Sequence, residues 1–200
     1  MNEFYYTANP TSEHDLRDVE IEALGVRSVC TTDAGVFSRD GLDRGTEILL
    51  NALPPLHGRV LDLGCGWGPV GVTLARKYPS AEIVMSDVNA RACELSTRNL
   101  ARNGASASVV QSDAFSDLTG SFDFIITNPP IRTGKQNIYA MFASARSYLS
   151  ATGELYIVIR KQQGAPSALT YLRTLYAEAE VIDREAGFWV IRASGVRGDT

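Results

Sequence analysis

The chain has 200 residues, of which 44% are hydrophobic and 21% charged, and its formal net charge is −4. This length and composition are typical of one globular domain, and no apolar run approaches the length of a membrane span. The acidic balance argues against indiscriminate nucleic-acid binding, which depends on neutralising phosphates, but it leaves room for a local basic patch that holds RNA.

The first part of the chain predicts a small N-terminal extension. Two short alternating runs, 19–24 and 26–31, meet at Gly25 and predict a β-hairpin. A helix is predicted over 43–53, because apolar residues share one of its faces and a pair of prolines ends it. The expected organisation is an N-terminal extension over 1–55, a main domain over 56–194 and a flexible tail over 195–200.

In the main domain, strand-like and helix-like runs alternate. Runs rich in Val and Ile predict strands over 59–63, 81–86, 106–111, 122–127 and 154–159. Helices are predicted over 69–77, 89–102, 135–149 and 167–176. Two last strands, 180–183 and 188–192, are expected to form an antiparallel hairpin at the sheet edge. The alternation predicts an α/β fold of Rossmann-like type, with a mostly parallel seven-stranded sheet and helices on both faces.

One predicted strand runs directly into a glycine-rich turn and then into a helix. Gly64, Gly66 and Gly68 would allow a tight turn and remove side chains where a ligand lies close to the main chain. Asp62 places a carboxylate before the turn, which would repel a phosphate but attract a cationic amino group such as that of S-adenosylmethionine. The competing interpretation is a dinucleotide fingerprint over 66–71, which would leave Asp62 and Gly64 unexplained.

Acidic residues follow the next two predicted strands. Asp87 suits a ribose, because one carboxylate can accept hydrogen bonds from two vicinal hydroxyl groups. NAD would use the same device, so Asp87 does not discriminate between the two cofactors. Asp113 could accept a hydrogen bond from the exocyclic amine of adenine, and a solvated loop carboxylate is an equally good interpretation of this residue.

The segment Asn128-Pro129-Pro130-Ile131 ends the fourth strand of the main domain. The two prolines fix φ, remove two N–H donors and leave rigid carbonyl groups. The amide oxygen of Asn128 and the carbonyl of Pro129 would make a pair of acceptors for one planar NH2 group. Such a pair would hold an amide-like nitrogen still and aim its lone pair at a methyl donor without a strong general base. The alternative is a rigid loop without chemistry.

The glycine turn and the Asn-Pro-Pro segment together resemble class I S-adenosylmethionine-dependent methyltransferases of the amino-methylating type. More narrowly, the chain resembles the methyltransferase small family, which includes the RsmC-type enzymes that methylate N2 of guanine in small-subunit ribosomal RNA. The resemblance extends to further segments, namely Tyr5-Tyr6-Thr7 with Pro10 and Ser12, residues 32–38, residues 42–46, Arg132 with Gly134 and Lys135, and residues 161–167.

For the cofactor, the resemblance implies that the three glycines line the methionine part, Asp87 holds the ribose and Asp113 holds the adenine. The cofactor-binding residues expected from it are Phe37, Thr46, Asp62, Gly64, Cys65, Gly66, Gly68, Asp87, Val88, Asn89, Asp113, Ala114 and Asn128. Asn128 and Pro129 would hold the target amine, and Pro130 and Ile131 complete the expected catalytic segment. The residues expected to contact the substrate are Ser38, Arg132, Lys135 and Lys161.

The chain departs from the family's pattern in two places. Many amino-methylating enzymes carry an aromatic residue after Asn-Pro-Pro, whereas this chain has Ile131, which offers apolar contact but weaker stacking. The longer RsmC-type enzymes also carry an extra N-terminal domain that aids substrate binding, whereas this chain has only the short extension.

A basic rim around the cleft would allow this acidic chain to hold RNA. Its expected members are Arg39, Arg44, Arg132, Lys135, Arg160 and Lys161. The alternative is that these are ordinary surface charges. The expected partner is ribosomal RNA or the small ribosomal subunit, and a loop or a partly assembled particle is favoured over free duplex, because extruding a paired base costs free energy.

Other functions remain open at this stage. Within methyl transfer, the target could be adenine N6 or a protein glutamine. Outside it, the chain could be an NAD-dependent oxidoreductase or a non-catalytic adenosylmethionine-binding module. Three widely spaced cysteines and two histidines predict neither a disulfide framework nor a metal site. The N-terminus lacks the regions of a secretory signal, so we expect a cytoplasmic protein, and a monomer is favoured.

Overall fold

A two-stranded antiparallel hairpin opens the fold in the computed structural model, which describes residues 7–9 and 11–196. Its strands are β1 (Arg17–Ala23) and β2 (Val26–Thr32). Helix α1 (Arg44–Ala52) follows, and the carboxylate of Asp43 caps its N-terminus by accepting from the Thr46 N–H. The predicted hairpin and helix are confirmed, while the domain division at residue 55 stays a prediction. Tyr5, Tyr6 and Pro10, which contribute to the resemblance, lie outside the described residues.

A seven-stranded sheet forms the centre of the fold. Its strands are β3 (Arg59–Leu63), β4 (Glu82–Asp87), β5 (Ser108–Gln111), β6 (Phe122–Thr127), β7 (Leu149–Arg160), β8 (Tyr176–Glu185) and β9 (Phe188–Val196). Their spatial order is β5-β4-β3-β6-β7-β9-β8. The first five strands of this order pair in parallel, and β9 pairs antiparallel with both β7 and β8. The predicted sheet and its antiparallel C-terminal hairpin are confirmed.

Helices cover both faces of the sheet, as predicted. They are α2 (Pro69–Lys77), α3 (Ala90–Arg102), α4 (Lys135–Ala145) and α5 (Ala165–Leu175). One core cluster joins α1, α2, α3 and the hairpin to the first face, and a second joins α4 and α5 to the other. In β3, Val60 belongs to the first cluster and Leu61 to the second, because successive residues of a strand point to opposite faces.

Several element boundaries differ from the prediction. The helix predicted over 135–149 ends at Ala145 and continues as a 3-10 turn over 146–148, and β7 then begins five residues earlier than expected. Helix α5 begins at Ala165, because Pro166 fits the first turn of a helix, where its missing N–H has no partner to lose.

The last strand extends two residues into the tail predicted from residue 195, and the flexibility of the tail stays a prediction. Gly195 and Val196 belong to β9, and Val196 pairs with Tyr176 of β8. The local sequence could not show this pairing, because the partner strand lies about twenty residues away and joins it only in the folded sheet. The remaining residues, 197–200, lie outside the described part.

Gly71 brings α2 close to β4. A Cβ at this position would lie 2.4 Å from Sδ and 2.5 Å from Cγ of Met85, which is fully buried. The close approach also allows the Gly71 N–H to donate to Oδ2 of Asp62 at 2.9 Å.

We expect Gly71→Ala to lower the free energy of unfolding by about 1–3 kcal/mol, because overpacking a dense core forces side chains out of their preferred rotamers. Alanine would otherwise stabilise a helix interior by about 1 kcal/mol relative to glycine, so the sign of the change is diagnostic. Urea denaturation measures it, with Lys77→Ala, at an exposed position of the same helix, as the control. A Gly71→Ala variant as stable as the wild type would show that the Met85 side chain can move aside without a loss of stability.

Candidate functional site

A cavity of about 520 Å³ opens at the carboxyl ends of β3, β4, β5 and β6. Open parallel sheets bind their ligands at this edge. The loops after these strands contribute Gly64, Gly66, Asp87, Val88, Asp113, Ala114, Asn128, Pro129 and Pro130 to its walls. A smaller cavity of about 40 Å³ adjoins it and is lined by Asp43, Thr46, Asp62, Cys65 and Ser38, among others. Phe37, Gly64, Gly66 and Asn128 line both cavities.

The three glycines of the turn have different surroundings. All have positive φ, at 78° for Gly64, 56° for Gly66 and 93° for Gly68. A Cβ on Gly64 or Gly66 would meet no atom within 4 Å, so these two positions present an open face to the cavities. At Gly68 it would lie 2.9 Å from both Ser96 and Met85. Gly68 therefore serves packing and lines neither cavity.

Asp62 is buried beside the smaller cavity. Burial raises the pKa of its carboxyl to about 7, the Gly71 N–H opposes this rise, and the charge of Asp87 adds to it. The carboxylate thus lies beside a space that the glycine turn also borders. A cationic group entering that space would favour the ionised form of Asp62.

Asp87 holds the glycine turn in place while also facing the larger cavity. Its Oδ2 accepts from the Gly66 N–H at 2.8 Å, and its Oδ1 accepts from the Asn89 N–H at 2.9 Å. Burial raises the pKa of Asp87, against the lowering effect of these N–H groups. Each carboxylate oxygen can accept more than one hydrogen bond, so capacity remains for the hydroxyl groups of a ribose.

Asn89 is fully buried and lines neither cavity. Its side chain accepts from the Ala92 N–H as the N-cap of α3 and donates to the Gly35 carbonyl at 3.0 Å. The second of these bonds ties the loop over 35–41 to the sheet edge. Asn89 therefore does not contact the cavity but holds in place the loop and the helix that border it.

The loop over 35–41 closes one side of both cavities. The side chain of Phe37 is 41% exposed and borders both of them. The Trp67 indole N–H donates to the Ser38 carbonyl at 3.2 Å, and the Ser38 hydroxyl donates to the Gly41 carbonyl at 2.6 Å. These bonds hold the partly exposed aromatic ring of Phe37 at the mouth of the site.

Asp113 and Ala114 lie at the far end of the larger cavity, where Asp113 is exposed. Ala114 has a φ of 49°, which is uncommon for a residue other than glycine. Its carbonyl accepts from the Ser112 hydroxyl at 3.0 Å, and this hydroxyl in turn accepts from the Asp117 N–H. The local hydrogen bonds hold the loop in its strained shape.

Two residues at the start of α1 hold the side-chain amide of Asn128. Its Nδ2 donates to Oδ2 of Asp43 at 2.8 Å and to Oγ1 of Thr46 at 3.0 Å. Because the nitrogen faces these two acceptors, the amide oxygen is the group left for a ligand. Pro129 is buried in the cavity wall, whereas Ile131 lines neither cavity and packs against the second core cluster.

The cations of the predicted basic rim differ in whether a carboxylate lies beside them. Arg39 pairs with Asp15, and Arg44 pairs with Glu47 and Glu185. Arg160 lies over the ring of Phe188, at 4.6 Å from its centroid. The exposed residues Arg132, Lys135 and Lys161 have no carboxylate within 4 Å in the described part of the chain. Of these, Lys135 lies over the ring of Tyr139, with Nζ 5.0 Å from the ring centroid.

Sequence reasoning missed several residues of the site. Helix α4 presents Asn137, Ala140, Met141 and Ser144 to the larger cavity, which are spaced as one helical face. The sequence did not indicate this face, because its residues differ in polarity and the apolar stripe of the helix faces the core. Asp43 was recognisable only as a possible helix cap. Ser86 lines the larger cavity with a buried hydroxyl that has no partner in the described part of the chain.

Within the described part of the chain, residues 7–9 and 11–196, no group of three or more His, Cys, Asp or Glu side chains could hold a metal ion. None of its helices combines the length and the apolar character that crossing a bilayer requires.

Comparison with known proteins gives consistent matches. A Bacillus subtilis protein, "Uncharacterized protein YbxB", is 40% identical over 201 residues, covering 98% of this chain and 100% of that protein. The Ribosomal RNA small subunit methyltransferase C of Aeromonas hydrophila is 40% identical over 163 residues, covering 78% of this chain and 46% of that enzyme.

A solved structure from T. thermophilus matches with a TM-score of 0.82 and 26% sequence identity, over 93% of this chain and 52% of that one. It is a 16S rRNA N2 guanine methyltransferase (RsmC) in complex with AdoMet and guanosine. The chain thus spans about half the length of the named methyltransferases that it matches. The sequence pattern of the Methyltransferase small domain matches residues 27–192, and the chain belongs to this family.

Proposed function

We propose that the chain transfers a methyl group from S-adenosylmethionine to the exocyclic N2 amine of a guanine in small-subunit ribosomal RNA. The observation that carries the proposal is the Asn128 amide, whose nitrogen donates to Asp43 and Thr46. Its oxygen is thereby left as an acceptor beside a cavity large enough for a cofactor and a base. The relatives named as small-subunit methyltransferases, and the RsmC structure with AdoMet and guanosine, support the same reaction.

The residues around the cavities fit this cofactor. The open faces of Gly64 and Gly66 admit a ligand close to the main chain, and Asp87 would accept the ribose hydroxyl groups. The smaller cavity would take the methionine end, with Asp62 opposite its amino group and Thr46 in its wall. Asp113 would accept from the adenine amine. The bound cofactor supplies an electrophilic methyl group.

The chain's own contribution to the reaction is mainly positioning. The lone pair of the guanine amine is delocalised into the base, which makes the nitrogen a weak nucleophile. The amide oxygen of Asn128 and the carbonyl of Pro129 would accept hydrogen bonds from its two N–H groups, hold the nitrogen still and favour pyramidal geometry. The proton of the methylated nitrogen becomes acidic, so this step needs no strong general base. Catalysis then rests on orientation and on hydrogen bonds that strengthen in the transition state.

The RNA would approach across the side of the site where α4 and α5 begin. Arg132 and Lys135 flank the start of α4, and Lys161 precedes α5. These exposed cations are free of carboxylate neighbours among the described residues, whereas Arg39 and Arg44 each pair with a carboxylate. Phe37, at the mouth of the site, offers an aromatic surface to an extruded base. We propose that the protein acts in the cytoplasm, as a monomer, on RNA or on the small subunit.

The proposal is tested with labelled S-adenosylmethionine and three acceptors, namely ribosomal RNA, ribosomal subunits and total protein, followed by nucleoside analysis. We expect N2-methylguanosine in the RNA. Asn128→Ala should lower kcat by about 100-fold or more, because one oriented hydrogen-bonding group at a reacting centre contributes on this scale. Its effect on cofactor affinity should be much smaller. Asn51→Ala, at an exposed position of α1, is the matched control. Label in protein alone, or in adenine, would refute the assigned target.

Cofactor affinity should depend on pH through Asp62. Its pKa of about 7 in the free protein means that the carboxyl is mostly protonated at pH 6 and ionises as the pH rises. Since only the ionised form attracts an ammonium group, affinity should rise between pH 5.5 and 7, with a limiting slope of about tenfold per pH unit. Isothermal titration calorimetry at several pH values measures it. Asp62→Asn should flatten the profile, and a variant that keeps the wild-type slope would exclude Asp62 as its source.

The double charge reversal Arg132→Glu/Lys135→Glu should weaken RNA binding by about tenfold or more at 0.1 M salt, because each lost phosphate contact removes counterion release. Cofactor affinity should stay unchanged. Lys77→Glu/Arg98→Glu, at exposed positions on α2 and α3, is a control with the same net charge. Filter binding at several salt concentrations measures the effect. Equal losses in both double variants would indicate a general charge effect and no defined RNA surface.

A further inference from the structure

We propose that Asp43 is a positioning residue that fixes the orientation of the Asn128 amide for the reaction. This inference rests on the proposed function and assigns a role to a residue that lies 85 positions earlier in the chain. Asp43 also lines the smaller cavity, together with Thr46 and Asn128.

A single oxygen of Asp43 organises the contact. Its Oδ2 accepts from the Thr46 N–H at 2.9 Å, from the Thr46 hydroxyl at 2.8 Å and from Nδ2 of Asn128 at 2.8 Å. The Thr46 hydroxyl accepts from the same amide nitrogen at 3.0 Å. One carboxylate and one hydroxyl therefore both face the side-chain nitrogen of Asn128.

The chemistry of the carboxylate decides which way the amide faces. An ionised carboxylate only accepts hydrogen bonds, so it admits the amide nitrogen and repels the amide oxygen. A rotation of Asn128 by 180° would set two acceptors against each other and break both bonds. It would also turn the NH2 group toward the cavity, where it would meet the NH2 group of the base. Asp43 thus keeps the acceptor, and not the donor, facing the target amine.

The fold gives this contact a rigid origin. Asp43 is the N-cap of α1, with an extended backbone (φ −67°, ψ 143°), and its capping bond already fixes the side chain. Ile48, Leu49 and Leu50 of the same helix are fully buried in the first core cluster. The end of β6, which carries Asn128, is therefore aligned against an anchored helix.

The test separates positioning from folding by keeping the helix cap. Asp43→Ser retains a capping oxygen, but its side chain is shorter and loses the contact to Asn128. We expect kcat to fall by about 10- to 100-fold, in the range that small misplacements of a reacting group produce. The affinity for S-adenosylmethionine should stay within about threefold and the Tm within a few degrees, the range expected when a cap and its packing survive. Asp43→Asn, whose amide oxygen can take the place of Oδ2 and accept from both Thr46 and Asn128, should give a smaller loss of kcat.

A double-mutant cycle gives a readout that a merely structural role would not move. If Asp43 acts through Asn128, the Asp43→Ser/Asn128→Ala double variant should be no slower than Asn128→Ala alone. Three outcomes would overturn the inference. The kcat losses of the two single variants could multiply in the double variant, kcat could be unchanged in Asp43→Ser, or weaker cofactor binding could account for the whole loss of rate. Should Asp43→Ser fail to fold, Asp43→Asn is judged by the same cycle.

A spectroscopic measurement keeps the inference separate from the proposed function. The side-chain NH2 resonances of Asn128, assigned by their absence in Asn128→Ala, should move on Asp43→Ser, because the amide loses its charged acceptor. Unchanged resonances would overturn the positioning role whatever the activity. If Asp43→Ser shifts these resonances while the wild-type chain transfers no methyl group, the proposed function is refuted and the orientation of Asn128 is established.

Discussion

The site depends on how the end of β4 holds the glycine turn. The N–H groups of Gly64 and Cys65 donate to the Ser86 carbonyl at 2.8 and 2.9 Å, and the Gly66 N–H donates to the carboxylate of Asp87. A turn that needs positive φ at several residues has no regular ladder of its own, so these bonds supply partners for its N–H groups. These hydrogen bonds keep the open faces of Gly64 and Gly66 turned toward the cavity, and Asp87 remains part of the cavity wall. The candidate cofactor site therefore exists only because β3 and β4 are neighbours in a parallel sheet.

The other half of the site joins two parts of the chain that are distant in sequence. Asp43 and Thr46 come from the start of α1, whereas Asn128 follows β6. Their hydrogen bonds link an element of the N-terminal extension to the segment proposed to hold the target amine. The extension is thus integral to the site, since it also contributes Phe37 and Ser38 to the cavity walls. This arrangement gives a physical reason why the family match, over residues 27–192, reaches well ahead of the glycine turn.

The cations of this acidic chain differ in whether a carboxylate neutralises them. Most arginines near the hairpin have carboxylate partners, such as Arg102 with Asp18 and Arg44 with Glu185. Ion pairs of this kind contribute little to stability when exposed, but they neutralise the local field. The exposed cations beside α4 and α5 lack such partners among the described residues. The net charge of the chain gives no information about this difference, because it sums over paired and unpaired cations alike.

The sequence by itself determined the fold class, the strand–turn–helix unit around Asp62 and the Asn-Pro-Pro segment, because periodicity, glycine spacing and proline geometry are local properties. It also predicted that Asp87, Asp113 and Asn128 share one edge, since the carboxyl ends of parallel strands meet there. Only the tertiary structure decided what each residue does at that edge. Gly68 and Asn89 match the motif but pack behind the wall, Ile131 turns into the core, and Asp43 reaches Asn128. These outcomes depend on side chains from distant segments that compete for the same space and the same hydrogen bonds, and no local pattern records that competition.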